Sequence, residues 1–285
     1  TGGRVHRREG ARTGLGAGDD PAEFYDAIGD QIKRFPPPAR DKPELVTLKN
    51  TLGIGAGLHP VADGKLSDAQ LAAMRDIVTG AQGRFQAGLL QTYLSAFDAH
   101  NGWLVAKTGT YGTDYVRRAQ IAKFGLGAPL PYVSVYPVAI MDHDKSLLTG
   151  TKRYVVHFSP ETSHPPVKFF WSMTLYDNDS FFVDNPINRY LVNDRSNLKY
   201  NEDGSLDIYI QPNQPADPDQ ARNWLPSPAA DAAQPGFRLT MRLYGLSQAG
   251  IKGLQDGTGW QGPTVLPCGV GNETSTGIAC AALPN

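Results

Sequence analysis

The sequence predicts an α+β fold in which an N-terminal helical subdomain packs on an antiparallel, jelly-roll-like β-sandwich. Two observations support this. Apolar residues recur at helical spacing up to about residue 130, and beyond it they alternate with polar residues. Short alternating segments bounded by turn residues are typical of a sandwich, and the separation of helices from strands is typical of an α+β chain.

We divide the 285 residues into four parts. Residues 1–19 form a flexible arm, because they are rich in Gly and Arg and show no apolar periodicity. Residues 20–130 form the helical subdomain, 131–246 the β-sandwich domain, and 247–285 an extended C-terminal tail rich in Gly and Thr.

Four helices are expected before residue 130. The first has Asp20 as N-cap, Pro21 at N1 and Glu23 at N3. Its apolar face consists of Phe24, Ile28, Ile32 and Phe35. A short helix follows from Pro43 to Gly53, a longer one starts at the N-cap Ser67 with Gln70 at N3, and another spans about 113–124.

Six strands are expected after residue 130, at 132–142, 152–159, 167–177, 180–184, 206–211 and 237–245. Along two of them, the apolar side chains alternate with polar or amphipathic ones. The apolar set is Trp171, Met173, Leu175, Phe237, Leu239, Met241 and Leu243, and the alternate set is Phe170, Ser172, Thr174, Tyr176, Arg238, Thr240, Arg242 and Tyr244. The alternate set forms either a solvated outer face or the lining of a cavity that offers hydroxyls and a guanidinium to a polar ligand.

Composition excludes several functional classes. Charged residues are 19% and the net charge is −1, so the basic excess of a nucleic-acid-binding protein is absent. The most apolar stretch, 132–141, is about half the length needed to span a bilayer. We therefore expect no nucleic-acid partner and no membrane span.

The short motifs favour structural interpretations. Gly245-Leu246-Ser247-Gln248-Ala249 departs from a nucleophile elbow at its last position, and Asp142-His143-Asp144 and Asp177-Asn178-Asp179 read first as turns. The six histidines lack the paired spacing of a metal helix, and His157 is interpreted as a satisfied histidine of a strand. We expect neither a metal nor a cofactor.

The C-terminal region contains the two cysteines of the chain, Cys268 and Cys280. A local disulfide between them is favoured over two free thiols, because little else fixes this segment. Sequons for N-glycosylation occur at Asn178 and Asn272, and they matter only in a eukaryotic secreted protein.

Longer motifs resemble one family. They are Gly109-Thr110-Tyr111-Gly112-Thr113-Asp114-Tyr115, residues 170–177, 184–190 and 203–211, Asn223-Trp224-Leu225-Pro226, and Leu243-Tyr244. Over about residues 20–267 the chain resembles bacterial and fungal proteins with paired domains of unknown function numbered 1254 and 1214. The resemblance implies a helical part on a β-sandwich and a secreted, periplasmic or cell-envelope location, but no reaction. The β-rich first half of the 1254 domain has no counterpart here, which leaves open whether another chain supplies it.

Two functional hypotheses follow. In the first, a cleft between the helical part and the sandwich binds a small molecule or carbohydrate-like ligand. Hydrolysis of that ligand and binding without reaction both fit the sequence, so whether the protein is an enzyme stays open. Asp114 is the candidate general acid or base, and the ligand-binding candidates are Trp103, Tyr111, Tyr115, Arg189, Arg195 and Arg242. In the second, the protein is a non-catalytic structural or assembly protein that forms homo-oligomers. The same residues then brace its loops instead of binding a ligand.

Overall fold

The computed structural model describes residues 20–269 and 273–281, so the predicted arm at 1–19 and the sequon at Asn272 lie outside it. The chain forms two compact units. The first contains residues up to 90 and residues 112–114, and the second contains residues 91–111 and 115 onward. The α+β class is confirmed.

The first unit is helical, with α1 (Glu23–Arg34), α2 (Lys42–Leu52) and the first part of α3 (Asp68–Ala96). Tyr25, Ile54 and Met74 form its buried core, and Ile28 and Ile32 pack against them. The expected apolar face of α1 is wrong at one end, because Phe35 is exposed and lies beneath the Arg34 guanidinium.

Helix α3 begins with the predicted capping box. The Gln70 backbone amide donates to Ser67 Oγ, and the Ser67 amide donates to Gln70 Oε1 at 2.9 Å. In the second unit, α4 spans Tyr115–Phe124.

The start of α1 differs from the prediction. Helix α1 begins two residues later than expected, and Asp20 accepts from the Ala22 amide instead of capping the helix.

Two sheets make up most of the second unit. The larger sheet has the order β1-β3-β9-β5-β6, with β2 also paired to β9. Its strands are Leu104–Val105 (β1), Ser134–Val135 (β2), Pro137–Ala139 (β3), Val167–Asp177 (β5), Leu191–Asn193 (β6) and Phe237–Leu246 (β9). The smaller sheet has the order β10-β4-β7-β8. Its strands are Tyr154–Phe158 (β4), Leu206–Gln211 (β7), Trp224–Pro226 (β8) and Thr264–Pro267 (β10).

All the strand pairs are antiparallel except β7 with β8, which is parallel, so the smaller sheet is mixed. Apolar side chains of both sheets meet in one core cluster, which includes Val156, Phe158, Met173, Leu239 and Met241. The predicted inward set on β5 and β9 is therefore confirmed, and the alternate set lies on the other face of the larger sheet.

Some elements differ from the sequence-based expectation. The strand expected at 180–184 is wrong, because Asp177 Oδ1 accepts from the Asp179 and Phe181 amides and closes a turn there. Residues 218–222 and 248–256 form helices α5 (Pro218–Arg222) and α6 (Gln248–Asp256). Ser247 caps α6 by accepting from the Gly250 amide, so the elbow-like motif serves a helix end. Within the described residues, no helix combines the length and apolarity that a membrane crossing requires.

Candidate functional site

The pairing of β5 with β9 brings the alternate set together on one face of the larger sheet. Ser172 lies opposite Arg242, Thr174 opposite Thr240, and Tyr176 opposite Arg238. Because side chains alternate across a strand, these residues point to the same side of the sheet, away from the core. Ser172, Thr174 and Thr240 are themselves buried, so the larger side chains around them form the surface.

Arg242 occupies the centre of this surface. One terminal nitrogen donates to Thr174 Oγ1 at 2.6 Å and the other donates to the Tyr176 hydroxyl. The guanidinium carbon also lies 6.0 Å from the centroid of the Tyr136 ring and 5.6 Å from that of Tyr176. These contacts hold the guanidinium in one orientation.

Arg238 lies four residues before Arg242 on the same face of β9, with Thr240 between them, and contacts the same tyrosine. Its guanidinium carbon is 5.3 Å from the Tyr176 ring centroid, and one nitrogen donates to the Asp177 carbonyl oxygen at 3.3 Å. Burial lowers the pKa of the Arg238 guanidinium, and Tyr176 and Asp177 oppose that shift. Since burial disfavours the charged form of the guanidinium, an additional acceptor near Arg238 would stabilise it.

Aromatic rings extend the surface in both directions. Phe170 and Tyr244 stack with centroids 4.4 Å apart, and Tyr176 stacks on Phe182, which stacks on Tyr190 at 5.0 Å. Arg195 lies over Phe170, with 5.7 Å from its guanidinium carbon to the ring centroid. We call this surface the arginine–aromatic face; it consists of Tyr136, Phe170, Tyr176, Phe182, Tyr190, Arg195, Arg238, Arg242 and Tyr244.

Among the described residues, Arg195, Arg238 and Arg242 form no ion pair with a carboxylate, although the Asp177 carboxylate attracts Arg238 from a greater distance. An arginine carries five N–H donors, and Arg242 uses two of them within this part of the chain. The remaining donors are available to an acceptor that is not part of the chain.

The structure places the other predicted site residues elsewhere. The Trp103 ring is buried in the core and its Nε1 donates to the Pro263 carbonyl oxygen at 2.7 Å, so it is a core residue rather than a ligand platform. Arg189 donates through one nitrogen to the carbonyl oxygens of Ala221, Arg222 and Trp224, which gives it a bracing role between loops.

The predicted cluster around Asp114 is divided between the two units. Asp114 is exposed and belongs to the first unit, whereas Tyr111 and Tyr115 belong to the second. The Tyr111 hydroxyl accepts from the Gly109 amide at 3.0 Å, and Tyr115 lies beneath Arg118. Among the predicted ligand-binding residues, the structure thus brings Arg195 and Arg242 to one face. Arg238 belonged to the alternate set that could line a cavity but was not among the predicted ligand-binding residues. Tyr136, Phe182 and Tyr190 were not predicted as site residues.

The cysteines and the acidic turns have structural partners. Cys268 and Cys280 form a disulfide. Asp142 Oδ1 accepts from the Asp144 and Ser146 amides, as expected for a turn. In the part of the chain that the structure describes, no group of three or more His, Cys, Asp or Glu side chains is arranged to hold a metal ion.

The face lies within a segment that matches a known family. Residues 133–248 match the family described as Protein of unknown function (DUF1214). This match confirms the 1214 part of the predicted resemblance, while the 1254 part stays a prediction. The DUF1214 segment contains every residue of the arginine–aromatic face, which therefore belongs to the domain itself. A comparison with curated proteins gives no match.

Two solved structures are similar to the chain. The VPA0106 protein from Vibrio parahaemolyticus superposes with a TM-score of 0.52 at 21% identity, over 86% of this chain and 55% of that one. A putative uncharacterized protein from Burkholderia cenocepacia gives a TM-score of 0.30 at 12% identity, over 74% of this chain and 54% of that one. The first supports the fold. The chain spans about half the length of both proteins.

Proposed function

We propose that this protein binds a small anionic ligand that carries a ring, of the acidic-sugar class, on the arginine–aromatic face. The observation that carries the proposal is that the guanidinium carbons of Arg238 and Arg242 lie 5.3 and 5.6 Å from the Tyr176 ring centroid and form no ion pair within the described residues. The site lies wholly in the second unit.

Electrostatics favours an anion at this position. Two partly buried guanidiniums beside one ring repel each other, and burial has already lowered the pKa of Arg238. A carboxylate or phosphate would relieve that repulsion and accept the unused N–H groups in a charge-assisted, bidentate geometry.

The rings favour a ligand with an apolar face. Phe182 is half-exposed and stacks between Tyr176 and Tyr190, so this row of rings presents an apolar edge beside the arginines. The hydroxyls of Tyr136 and Tyr244 lie 3.3 Å apart at the other end. An acidic sugar combines the charge, the apolar ring face and the hydroxyls that these groups complement.

Calorimetric titration of D-glucuronate, with D-glucose as the uncharged comparison, tests the proposal. Glucuronate should bind measurably more tightly than glucose, and the difference should shrink as salt is raised. Arg242→Gln and Arg238→Gln should each weaken glucuronate binding about tenfold or more, because each removes a charge-assisted contact. Inorganic phosphate and benzoate in parallel titrations separate the sugar class from other anions.

The matched control is Arg222→Gln, because Arg222 is an exposed arginine that already has Asp219 as a partner. It should leave binding unchanged. The proposal is contradicted if glucuronate, phosphate and benzoate all fail to bind saturably. It is also contradicted if wild type and both Gln variants bind glucuronate with equal affinity.

A second candidate function is assembly with another protein, the alternative raised by the sequence. Phe169, near the start of β5, and Phe181, in the turn after β5, are exposed, with 61% and 60% of their surface accessible. Exposed phenylalanines of this size are typical of contact surfaces. A concentration-dependent mass in light scattering that Phe169→Ser and Phe181→Ser abolish would support this alternative, and a constant monomer mass would count against it.

We also infer an oxidising compartment, in agreement with the secreted, periplasmic or cell-envelope location that the resemblance implied. The Cys268–Cys280 disulfide supports this location, because such bonds persist mainly outside reducing cytosol. Mass spectrometry of the protein from its native source, with and without thiol alkylation, tests it. Free thiols in that material would contradict it.

A further inference from the structure

A second polar site lies on the outer face of the smaller sheet. The register of β4 places His157 between Asp207 on β7 and Thr264 on β10, so the three side chains form one row across three strands. The neighbouring row contains Val155 and Tyr209, which pack against Cys280 and Ala281. The C-terminal segment therefore covers the second row, and the row of His157 borders an open pocket.

Asp207 fixes the imidazole ring. His157 Nδ1 lies 2.6 Å from Asp207 Oδ1, and Asp207 Oδ2 accepts from Asn201 Nδ2 at 2.8 Å. Asn201 is itself held by Ser205 Oγ at 2.8 Å. Because both carboxylate oxygens are engaged and Asp207 is buried, the arrangement assigns the proton of a neutral ring to Nδ1.

The other ring nitrogen is unengaged. Among the described residues, His157 Nε2 has no hydrogen-bond partner, and His157 lines a pocket of about 270 Å³. Its walls carry the hydroxyls of Ser159, Thr162 and Thr264 and the amide of Asn101. Asn101 Nδ2 donates to Thr264 Oγ1 at 3.0 Å and to the Gly262 carbonyl oxygen, so the wall is ordered by its own hydrogen bonds.

A serine nucleophile does not fit this geometry. Ser159 is the nearest serine in sequence, but its hydroxyl donates to Glu161 Oε2 at 2.7 Å and also contacts Thr162. A nucleophilic serine would instead be hydrogen-bonded to the base. Because Nε2 has no hydrogen-bond partner among the described residues, a hydroxyl that contacts it must come from a ligand.

The charges around the pocket disfavour an anionic ligand. Asp207 contacts His157. Asp98 lines the pocket and is paired with Lys145 at 3.1 Å. Glu161 accepts a hydrogen bond from Ser159, which also lines the pocket. Asp203 completes the acidic side, and the pKa of its carboxyl is lowered mainly because Ser205 donates to it, with a smaller contribution from His157. This site thus differs in charge from the arginine–aromatic face.

We propose that His157 Nε2 accepts a hydrogen bond from a hydroxyl group of a small, uncharged or cationic, hydroxyl-rich ligand, such as a polyol, sugar or amino sugar. The ligand keeps its O–H bond, and the Nδ1 proton stays hydrogen-bonded to the Asp207 carboxylate, which leaves Nε2 as the acceptor. Asp207 is the positioning residue. The site is independent of the proposed function, because it lies on the other sheet and takes a ligand of different charge.

Nuclear magnetic resonance of the His157 ring in the full chain is the first test. In wild type, the neutral ring should be protonated at Nδ1, and Asp207→Asn should change this tautomer. Titration with D-glucosamine, D-glucose and glycerol should shift the His157 Hε1 signal saturably for at least one compound, and Thr264→Val should weaken that shift. A ring protonated at Nε2 in wild type, or no saturable shift with any of the three, overturns the proposal.

The second test measures the accessibility and nucleophilicity of Nε2 with p-nitrophenyl acetate. Nε2 forms a bond to the acetyl carbon, p-nitrophenolate leaves, and water then cleaves the acetyl-imidazole to give acetate and the free ring. His157→Gln should lower this rate by about 10- to 100-fold. The control is His143→Gln, since His143 is an exposed histidine beside Asp144. Equal rates in the two variants would contradict the proposal, whereas binding at the arginine–aromatic face would be unaffected by either result.

Discussion

Arg242 donates a hydrogen bond to the Tyr176 hydroxyl, and its guanidinium carbon lies 5.6 Å from the centroid of that ring. The tyrosine therefore contacts the same cation through both its hydroxyl and its π-face. Since Phe182 and Arg238 contact the Tyr176 ring as well, this side chain joins the charged and the aromatic parts of the face. Ligand binding there should depend on Tyr176 in two separable ways.

Tyr176→Phe distinguishes the contribution of the hydroxyl to ligand affinity from that of the ring. The substitution keeps the stacking but removes the acceptor that orients Arg242, so glucuronate affinity should fall about five- to tenfold, which corresponds to the ~1 kcal/mol net value of a typical hydrogen bond. Tyr176→Leu also removes the ring and should reduce affinity further. Calorimetric titration of both variants measures the two effects, and Tyr132→Phe is the control because Tyr132 is exposed. Unchanged affinity in Tyr176→Leu would contradict the assignment.

The sequence predicted this face in part. Alternation along single strands indicated that Arg238 and Arg242 share a side with Tyr244, and the structure confirms that pattern. Alternation gives no information on which strand lies next to which. The contact of Arg242 with Tyr176 depends on the register of β5 against β9, and that register is fixed by core packing between residues more than 60 positions apart.

The same reason explains the misplaced residues. Trp103 and Arg189 were typical ligand-binding types in loops, but their partners, Pro263 and Trp224, are distant in sequence. His157 was interpreted as a satisfied strand histidine, and one nitrogen does have a partner, Asp207, on a non-adjacent segment of the chain. Local spacing predicted most of the helices and strands. The hydrogen-bond partners of polar side chains could not be predicted in this way, because they depend on the tertiary fold.

Gly262→Ala should destabilise the second unit. A Cβ at this position would lie 2.4 Å from Trp103 Cδ1, and the Trp103 ring is buried and fixed by its hydrogen bond to Pro263. We expect a loss of roughly 1–3 kcal/mol in the free energy of unfolding, the usual cost of overpacking. Urea denaturation followed by tryptophan fluorescence measures it.

The matched control is Gly83→Ala in α3. A Cβ there meets nothing within 4 Å, and the backbone is helical. This variant should gain about 1 kcal/mol from the helix propensity of alanine. A Gly262→Ala protein as stable as wild type would show that the Trp103 ring can move.

Removal of the disulfide should loosen the C-terminal segment. Cys268 and Cys280 are 12 residues apart, and Cys280 packs with Val155 and Tyr209 on the smaller sheet. The double variant Cys268→Ser/Cys280→Ser should lose about 3 kcal/mol, because closing a loop of this length restricts the unfolded chain. Hydrogen exchange should show faster exchange in residues 273–281. Wild type under dithiothreitol should match the variant, and a variant with unchanged exchange would contradict the prediction.

Stability should fall at alkaline pH because of two buried tyrosines. Burial raises the pKa of Tyr154 to about 12 and that of Tyr209 to about 12. An unfolded tyrosine ionises near pH 10, so between about pH 10 and pH 12 the folded state binds more protons than the unfolded state. The free energy of unfolding is therefore unaffected by these groups below about pH 10 and decreases above it, by up to ~1.4 kcal/mol per pH unit for each residue.

Tyr154→Phe should make this decrease less steep. The substitution also leaves the Thr149 amide without the hydroxyl it contacts at 3.0 Å, which lowers stability by about 1 kcal/mol at every pH. The informative quantity is thus the slope of the urea-derived free energy against pH, measured from about pH 8 to about pH 11. Tyr132→Phe should keep the wild-type slope, because Tyr132 is exposed. Equal slopes in wild type and Tyr154→Phe would show that Tyr154 ionises at the same pH in both states.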